Sequence, residues 1–363
     1  MHKSYLITGG AGFIGSHLAE HILNQSYDPE TRVIVVDSLD YAANIENLKK
    51  CFEDPRFSFY QIDINDKSAL ISILQKHQVN GIFHLAAKSH VDDSIENPTK
   101  VLENNLNGAI SLISSVRNYF NQINDFEKAN FKFINISTDE VFGDRLGIEA
   151  ANEQTKYCPS SPYSASKAGA DLIFESFART YDIPILTLYL PNNFGPRQYP
   201  EKLIPLTILQ LLYGLKISLY GDGKQIRGWM YVKDTVTLIF SLINNWNNLK
   251  SQKYTISGEL LTNLQVVNYI AQALEELYPL EENLNFNHSI DSYKSLIDFT
   301  ADRPGHDRKY EVQDFLLQTA NIQLPLNDFS TRIKDTILWY IDNSQKEIKK
   351  LKIYTYKDKK TQI

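Results

Sequence analysis

The feature that most constrains the fold is a glycine-rich turn near the start of the chain. A short apolar segment, Tyr5 to Ile7, runs into Gly9, Gly12 and Gly15, and a helical pattern continues from Ser16 to Leu23. Glycine permits a tight turn, close approach of backbone N–H groups to an anion, and contact between helix and strand. By itself the triplet also fits an ordinary strand-to-helix turn. In context it predicts the first βα unit of a doubly wound sheet.

A carboxylate at the end of the next strand narrows the choice of dinucleotide. Asp37 closes the apolar run that starts at Arg32. It follows Gly15 by roughly twenty residues, the spacing at which a carboxylate accepts the ribose hydroxyls of a dinucleotide. A carboxylate there repels a 2′-phosphate. The sequence therefore predicts that the chain binds NAD in preference to NADP.

The rest of the chain predicts an α/β fold, in which a doubly wound parallel Rossmann sheet is joined to a smaller, mixed substrate-binding lobe. Short apolar runs alternate with segments of helical period over the first half, the pattern of buried parallel strands with crossover helices. We expect a Rossmann domain at 1–191, with 229–258 returning to it. The lobe is predicted at 192–228 and 259–343, and a basic, polar, solvated tail at 344–363.

Composition excludes several classes of partner. The 363 residues contain 37 Lys and Arg against 43 Asp and Glu, a net charge of −6 that gives no general attraction to nucleic acid or to an anionic membrane. The two cysteines lack metal-ligand spacing, so no metal site is expected, and they suit a reducing compartment. The amino terminus lacks the pattern of a signal peptide, and no apolar run has the length of a membrane span. We expect a cytoplasmic protein.

Tyr163 and Lys167 form the first candidate catalytic pair. They are four residues apart in a helical segment, which places both on one face. An adjacent ammonium and the positive nicotinamide favour the phenolate, so Tyr163 can remove a hydroxyl proton as hydride leaves for NAD. This pattern alone is common in helices. The catalytic assignment is strengthened because Thr138, at a strand end, precedes the pair in the chain.

Two carboxylates, Asp139 and Glu140, directly follow Thr138. Oxidation of a sugar at C4 makes the C5 hydrogen acidic and the C6 hydroxyl a leaving group, and elimination then needs one base and one acid. Neighbouring carboxylates can divide these tasks, because repulsion and burial raise one pKa. We assign Glu140 to the C5 proton and Asp139 to the departing oxygen, after which hydride returns to C6. Solvated loop acids, or a pair of charges at the start of a helix, are the alternative interpretations.

The ordered motifs resemble a known enzyme family. The turn has the Gly-x-x-Gly-x-x-Gly spacing of extended short-chain dehydrogenase/reductases. Between residue 8 and about residue 310, seven motifs are similar, in the same order, to those of the dTDP-glucose 4,6-dehydratases. They are His84–Ala87, Ser89–Asp92, Ser137–Gly143, Tyr163–Lys167, Asn192–Pro196, Pro200–Pro205 and Asp302–Asp307. The resemblance implies a hydro-lyase that converts a nucleotide-diphosphate hexose, foremost dTDP-glucose, to its 4-keto-6-deoxy sugar.

The resemblance also implies binding residues. Beside the glycines, Asp37, Tyr163 and Lys167, the NAD contacts would be Phe13, Ile14, Asp63, Ile64, Leu85, Ala86, Ala87 and Asn193. Beside Thr138, the nucleotide-sugar contacts would be Ser89, His90, Asn192, Asn193, Lys202, Leu203, Tyr220, Arg227, Arg303 and His306. The cations suit a diphosphate. A homodimer through helices at 104–117 and 165–179 is implied as well.

Five positions depart from the family pattern: Lys88, Asp93, Pro191, Ser218 and Gly228. We expect them to bear on sugar or base preference, because a site recognises its ligand through few polar contacts; for Lys88 a solvated side chain is the alternative. Two other functions remain open. A UDP-sugar 4-epimerase or decarboxylase shares the tyrosine and lysine but does not need the carboxylate pair, and a non-catalytic NAD-binding protein would not need the catalytic residues.

Overall fold

The computed structural model describes residues 3–25, 28–283, 285, 290–320, 322 and 328–360. In them the strands are β1 (Ser4–Thr8), β2 (Arg32–Asp37), β3 (Phe57–Gln61), β4 (Gly81–His84), β5 (Lys132–Thr138), β6 (Ile185–Leu190), β7 (Asn192–Phe194), β8 (Ile217–Tyr220), β9 (Ile226–Tyr231), β10 (Lys253–Thr255), β11 (Glu259–Thr262) and β12 (Ile297–Thr300). The helices are α1 (Phe13–Gln25), α2 (Lys67–His77), α3 (Val91–Glu96), α4 (Pro98–Phe120), α5 (Asp125–Asn130), α6 (Pro162–Tyr181), α7 (Leu203–Leu212), α8 (Val232–Asn244), α9 (Asn263–Leu277), α10 (Phe315–Thr319) and α11 (Phe329–Lys360).

The first of two compact units comprises Met1–Pro191, Lys233–Ser257 and Val312–Pro325. Its seven strands lie in the order β10-β6-β5-β4-β1-β2-β3, and every neighbouring pair is parallel. The chain therefore winds outward from β1 in both directions. Ligands of such sheets bind beyond the carboxyl ends of the strands, where the winding reverses. The predicted doubly wound α/β fold is confirmed.

Helices cover the sheet of this unit and bury its strands. All five residues of β1 are buried, as parallel strands covered on both faces require. A core cluster joins β1, β2, β4 and β5 to α2, α4 and α6. α4 and α6 pack closely, since a Cβ on Gly169 would lie 2.8 Å from Leu106 Cδ2. This packing holds α6 against the seven-stranded sheet.

The second unit comprises Asn192–Val232, Gly258–Glu311 and Leu326–Ile363. In its three-stranded sheet, β9 is parallel to β7 and antiparallel to β11, while β12 and β8 form a separate parallel pair. The core of the unit is formed mainly by α7, α9 and α11. The predicted smaller, mixed lobe is thus present.

The chain divides differently from the predicted boundaries in three places. Residues 312–325 belong to the first unit, and the return from the second unit occurs at Lys233. α11 continues through the segment predicted as a solvated tail, with Glu347 and Ile348 buried. Its apolar residues Ile333, Ile337 and Ile348 lie in the core of the second unit, so one helix face is covered although the segment is rich in lysine.

Candidate active site

The glycine turn joins β1 to α1 with little space around its backbone. Gly9 has φ +70°, and a Cβ there would lie 2.8 Å from the backbone of Ala86. A Cβ on Gly15 would lie 2.3 Å from Gly9 O. Side chains are thus excluded on the sheet side, and the N terminus of α1 is left to accept an anion. Phe13 and Ile14 form its first turn.

Asp37 ends β2, as predicted, and connects two loops. Its Oδ2 accepts from Ala11 N at 2.9 Å and its Oδ1 from Leu39 N at 2.8 Å. Burial raises the pKa of Asp37, while these two backbone hydrogen bonds oppose that rise. Each oxygen keeps a second lone pair, so ribose hydroxyls can still donate to it. The local structure fits the dinucleotide that the sequence predicts.

The segment after β4 lies beside the glycine turn. His84 Nδ1 and Thr8 Oγ1 are 2.8 Å apart, and Ala86 N donates to Thr8 Oγ1 at 3.4 Å. Leu85, Ala86 and Ala87 follow β4 directly, with Leu85 N bonded to Thr8 O at 3.1 Å. Among the other proposed cofactor contacts, Asp63 accepts from Asn65 N at 2.8 Å and Ile64 packs against the core near α4. These residues are held at the carboxyl edge of the sheet.

Lys88 is not the solvated side chain that was the alternative interpretation. Its Nζ lies 3.0 Å from Asp40 Oδ2, and 17% of its side chain is exposed. Its backbone is bonded twice to the amide of Asn105, which also donates to Ser166 Oγ at 2.8 Å. Lys88 is therefore fixed beside the loop that follows Asp37.

The segment with Ser89 and His90 leads into α3. His90 caps that helix, its ring is largely buried, and its Nδ1 lies 3.1 Å from Asp93 Oδ1. Asp93, one of the five departures from the family pattern, is thus a partner of the proposed substrate contact His90.

Thr138 ends β5 and caps a short 3-10 helix at Asp139–Phe142. Glu140 N donates to Thr138 Oγ1 at 3.3 Å, and Thr138 Oγ1 donates to Asp139 Oδ1 at 3.3 Å. Asp139 is only 2% exposed. The interpretation of Asp139 as a solvated loop acid is therefore excluded by its burial.

Tyr163 and Lys167 share one face of α6, as predicted. A capping box of Ser161 and Ser164, with Pro162 in the first turn, starts the helix immediately before the tyrosine. Burial raises the pKa of Tyr163 well above its usual range, and the charges of Glu140 and Asp139 raise it further. Both carboxylates therefore act electrostatically on the phenol, which places the candidate catalytic groups in one cluster. Lys167 Nζ donates to Ile136 O at 2.8 Å.

In the second unit, four of the residues assigned to the nucleotide sugar lie on β7 and at the start of α7. Asn192 and Asn193 form most of β7, and Gln198 Nε2 donates to Asn193 O at 2.8 Å. Lys202 precedes α7, and Leu203 is its first residue. Lys202 Nζ lies 3.7 Å from Glu201 Oε1.

Three further residues of that set surround the end of β8. The rings of Tyr220 and His306 meet edge to face at 6.0 Å, and the guanidinium of Arg303 lies 6.0 Å from the Tyr220 ring. His306 Nδ1 is 2.6 Å from Asp302 Oδ1. The structure brings these three proposed contacts together.

Arg227, in β9, is buried and already engaged. It donates to Ile226 O and Asp307 O, each at 2.8 Å, and its guanidinium lies 4.1 Å from the Tyr310 ring. Of the departures, Gly228 lies in the middle of β9, paired with Leu260, and Ser218 lies on the exposed side of β8.

Comparison with known proteins gives the family. A family model described as GDP-mannose 4,6 dehydratase matches residues 6–323. The dTDP-glucose 4,6-dehydratase of Neisseria gonorrhoeae is 40% identical over 343 residues, covering 94% of this chain and 96% of the relative. This chain belongs to the nucleotide-sugar 4,6-dehydratase family.

The structural neighbours agree with this membership. The dTDP-glucose 4,6-dehydratase DesIV of Streptomyces venezuelae, a crystal structure with NAD bound, has a TM-score of 0.80 and 33% identity, covering 94% of this chain and 97% of its own. The UDP-glucose 4-epimerase of Thermotoga maritima has a TM-score of 0.77 at 24% identity, covering 94% of this chain and 99% of its own. At that identity the epimerase establishes a shared fold alone.

Sequence reasoning about this dehydratase missed several polar residues that support the site. His84, Asn105 and Asn135 are buried and hydrogen-bonded beside it, and so is Asp171 on α6. Only Asp171 left a signal in the sequence, because it continues the four-residue spacing of Tyr163 and Lys167. The part of the chain that the structure describes contains no group of His, Cys, Asp or Glu side chains arranged to hold a metal ion.

Proposed function

We propose that this chain is an NAD-dependent hydro-lyase that converts a nucleotide-diphosphate hexose, foremost dTDP-glucose, to the 4-keto-6-deoxy sugar and water. The observation that carries this proposal is the position of Asp139 and Glu140 at the carboxyl end of β5, where Asp139 is buried beside Thr138. A plain dehydrogenase needs the tyrosine but no carboxylate pair. Membership of the 4,6-dehydratase family supports the same reaction.

For the cofactor, the geometry of the first unit supports a binding role for residues on four segments. They are Gly9, Gly12, Phe13, Ile14 and Gly15, then Asp37, then Asp63 and Ile64, then Leu85, Ala86 and Ala87. Bound NAD supplies the hydride acceptor for C4 and the hydride donor for C6. The backbone N–H groups at the start of α1 hold the pyrophosphate, and Asp37 accepts from the ribose.

Three residues act in oxidation at C4. Thr138 hydrogen-bonds the C4 oxygen, and Tyr163 removes its proton. Lys167 lowers the cost of the phenolate through its positive charge. That help is needed because burial and two carboxylates raise the pKa of Tyr163.

The carboxylates act in elimination. Glu140 removes the C5 proton, which the C4 ketone has made acidic, and Asp139 protonates the departing C6 oxygen. Asp139 is buried beside Thr138, the residue proposed to hydrogen-bond the C4 oxygen. The two proton transfers release one water and leave a double bond between C5 and C6 that hydride at C6 and a proton at C5 then saturate.

For the nucleotide sugar, we propose contacts from Ser89 and His90 in the first unit. In the second unit they come from Asn192, Asn193, Lys202, Leu203, Tyr220, Arg227, Arg303 and His306, with Asn193 also a proposed NAD contact. Two of the five N–H donors of Arg227 are directed to carbonyl groups, so other donors can bind a phosphate oxygen.

The reaction is tested with purified protein incubated separately with dTDP-glucose, UDP-glucose and UDP-N-acetylglucosamine. Mass spectrometry should find loss of one water from dTDP-glucose, and reduced cofactor should not accumulate in step with product, because the hydride is returned. Release of a 4-epimer without loss of water would replace the proposal with an epimerase. Preferential binding of NADP would contradict the role of Asp37.

We also propose a cytoplasmic homodimer that associates through α4 and α6. Support comes from two large apolar side chains on these helices, Ile110, 43% exposed, and Leu172, 55% exposed. Sedimentation should find a dimer that Leu172→Glu dissociates, whereas Leu338→Glu on α11 should not. The location is supported by Cys51 and Cys158, which form no disulfide. In the residues that the structure describes, no helix has the length and apolarity to cross a membrane.

A further inference from the structure

A third ionisable side chain continues the row of Tyr163 and Lys167 on α6. Asp171 follows Lys167 by four residues, so the three side chains lie on one helix face. All three are buried: the exposed fractions are 9% for Tyr163, 5% for Lys167 and 2% for Asp171. Burying a carboxylate costs free energy unless hydrogen bonds and a positive charge compensate it.

β5 holds this row from the sheet side. Ser137 Oγ donates to Asp171 Oδ2 at 2.5 Å, and Asn135 Nδ2 donates to Asp171 Oδ1 at 2.7 Å. Lys167 Nζ donates to the carbonyl of the intervening residue, Ile136, at 2.8 Å. Three consecutive residues of one strand therefore fix both the carboxylate and the ammonium.

We infer that Asp171 is a positioning residue of the proposed dehydratase, the buried counter-ion that keeps Lys167 protonated beside Tyr163. The inference rests on the proposed function, because it concerns the tyrosine and lysine that oxidise C4. Asp171 is not itself placed to exchange a proton with the substrate. It acts through the charge of Lys167.

Charges around the row explain why a counter-ion is needed. Burial lowers the pKa of Lys167, and the charge of Asp171 raises it again. Burial raises the pKa of Asp171 to about 6, while Lys167, the hydrogen bonds of Ser137 and Asn135, and the more distant Lys253 lower it. The charge of Asp171 also raises the pKa of three phenols, Tyr157, Tyr189 and Tyr163, and burial keeps Tyr157 and Tyr189 protonated. Its direct effect on Tyr163 is smaller than the effects of burial, Glu140 and Asp139, so Asp171 acts on the row mainly through Lys167. Asp171 is thus an anion at neutral pH and a neutral acid below it.

The protonation of Asp171 predicts how the rate of C4 oxidation changes with pH. As pH falls through about 6, Asp171 takes up a proton and Lys167 loses its counter-ion. The ammonium is then disfavoured by burial, and the phenolate of Tyr163 loses its support. The rate of nicotinamide reduction should therefore fall on the acid side with an apparent pKa near 6, as a property of the coupled row.

The test uses the full chain loaded with NAD and follows nicotinamide absorbance in a single turnover from pH 5 to pH 9. Asp171→Asn should reduce the rate at pH 7 by roughly 10–10²-fold and abolish the acid limb near pH 6, while the affinity for NAD is unchanged. Glu175→Gln is the matched control. It removes a carboxylate one turn further along α6, which pairs with Lys253 and Arg179, and should leave the profile unchanged.

A second variant decides the matter if Asp171→Asn does not fold. Ser137→Ala keeps the carboxylate but removes a hydrogen bond that lowers its pKa, so the acid limb should move to higher pH. A purely structural Asp171 would lose stability without moving the profile. The inference is overturned if the profiles of the Asp171 and Ser137 variants coincide with that of the unmodified chain. If the unmodified chain itself neither reduces NAD with substrate nor releases water, the proposed function fails first.

Discussion

Burial strengthens the electrostatic interactions of single ionisable residues in this dehydratase. In the proposed mechanism Tyr163 acts as a base, although burial and the carboxylates of Glu140, Asp139 and Asp171 all raise its pKa. Such a group is nearly always protonated in the free protein. In that mechanism its activation depends on positive charge from Lys167 and from the bound cofactor.

Tyr163→Phe should abolish nicotinamide reduction, with a loss of at least about 10²-fold, because the proposed mechanism assigns the hydroxyl proton to Tyr163. Binding of NAD and nucleotide sugar, measured by calorimetry, should persist, because the phenol acts mainly in the transition state. Tyr181→Phe, at the end of the same helix, serves as the control. Near-full turnover by Tyr163→Phe would show that the base is wrongly assigned.

Asp139→Asn and Glu140→Gln should both still reduce bound NAD on mixing with substrate, because C4 oxidation precedes elimination. Each should then lose about 10²–10⁴-fold in water release, the usual contribution of one general acid or base. Glu140→Gln should also fail to exchange the C5 hydrogen in deuterated solvent. Asp144→Asn, which changes an exposed carboxylate just after the 3-10 helix, is the control. Wild-type release of 4-keto-6-deoxy sugar by both variants would refute the proposed elimination.

At the scale of elements, α11 supports the loop that leads to Lys202. Tyr340 OH donates to Gln198 O at 2.5 Å, and the Gln198 side chain donates to Asn193 O at 2.8 Å. Further along the helix, Lys350 lies 2.7 Å from Glu347 and 6.0 Å from the Tyr199 ring. The helix thus fixes a loop of its own unit at several points.

Tyr340→Phe should lower the free energy of unfolding of the second unit by about 1–3 kcal/mol, because it leaves the buried Gln198 carbonyl without this donor. Chemical denaturation measures the change. NAD affinity should fall only slightly, because among the proposed NAD contacts only Asn193, whose carbonyl accepts from Gln198, belongs to the second unit. Tyr269→Phe on α9, whose ring is 37% exposed, should cost much less. Equal losses for the two variants would contradict the supporting role of Tyr340.

At the scale of the whole molecule, buried ionisable groups set the response to acid. Burial lowers the pKa of His84 to about 3, so the folded chain keeps it neutral while the unfolded chain protonates it below 6.5. Its contribution to stability is complete above pH 6.5 and is lost as pH falls toward 3. Asp171 acts in the opposite direction, because its raised pKa lets the folded chain bind a proton between about pH 6 and pH 4.

His84→Asn should be less stable than the unmodified chain at pH 7, because it loses the contact with Thr8. The difference should shrink by up to about 1.4 kcal/mol for each pH unit from 6 to 4, since the variant no longer has an imidazole to protonate on unfolding. Urea denaturation at each pH measures this. In Thr8→Val the imidazole remains, so its deficit should stay constant. A constant deficit in His84→Asn would contradict the linkage.

The sequence alone determined the elements whose signals are local. The turn of Gly9, Gly12 and Gly15 needs glycine for steric reasons, and the spacing of Tyr163 and Lys167 follows from helix geometry. The alternation of apolar runs predicted the doubly wound sheet, because burial on both faces leaves a pattern in each strand. The Thr138-Asp139-Glu140 motif was readable for the same reason: its chemistry lies within three consecutive residues.

Only the tertiary structure decided which distant groups share an environment. The helical spacing of Asp171 is visible in the sequence, but its contacts with Asn135 and Ser137 are not, because these residues meet only where β5 packs against α6. The pairing of Lys88 with Asp40, and the burial of Glu347 in a lysine-rich segment, likewise depend on contacts between segments. Local pattern fixes backbone conformation, but pKa values and ion pairs depend on desolvation and on charges brought together by folding, which no local spacing contains.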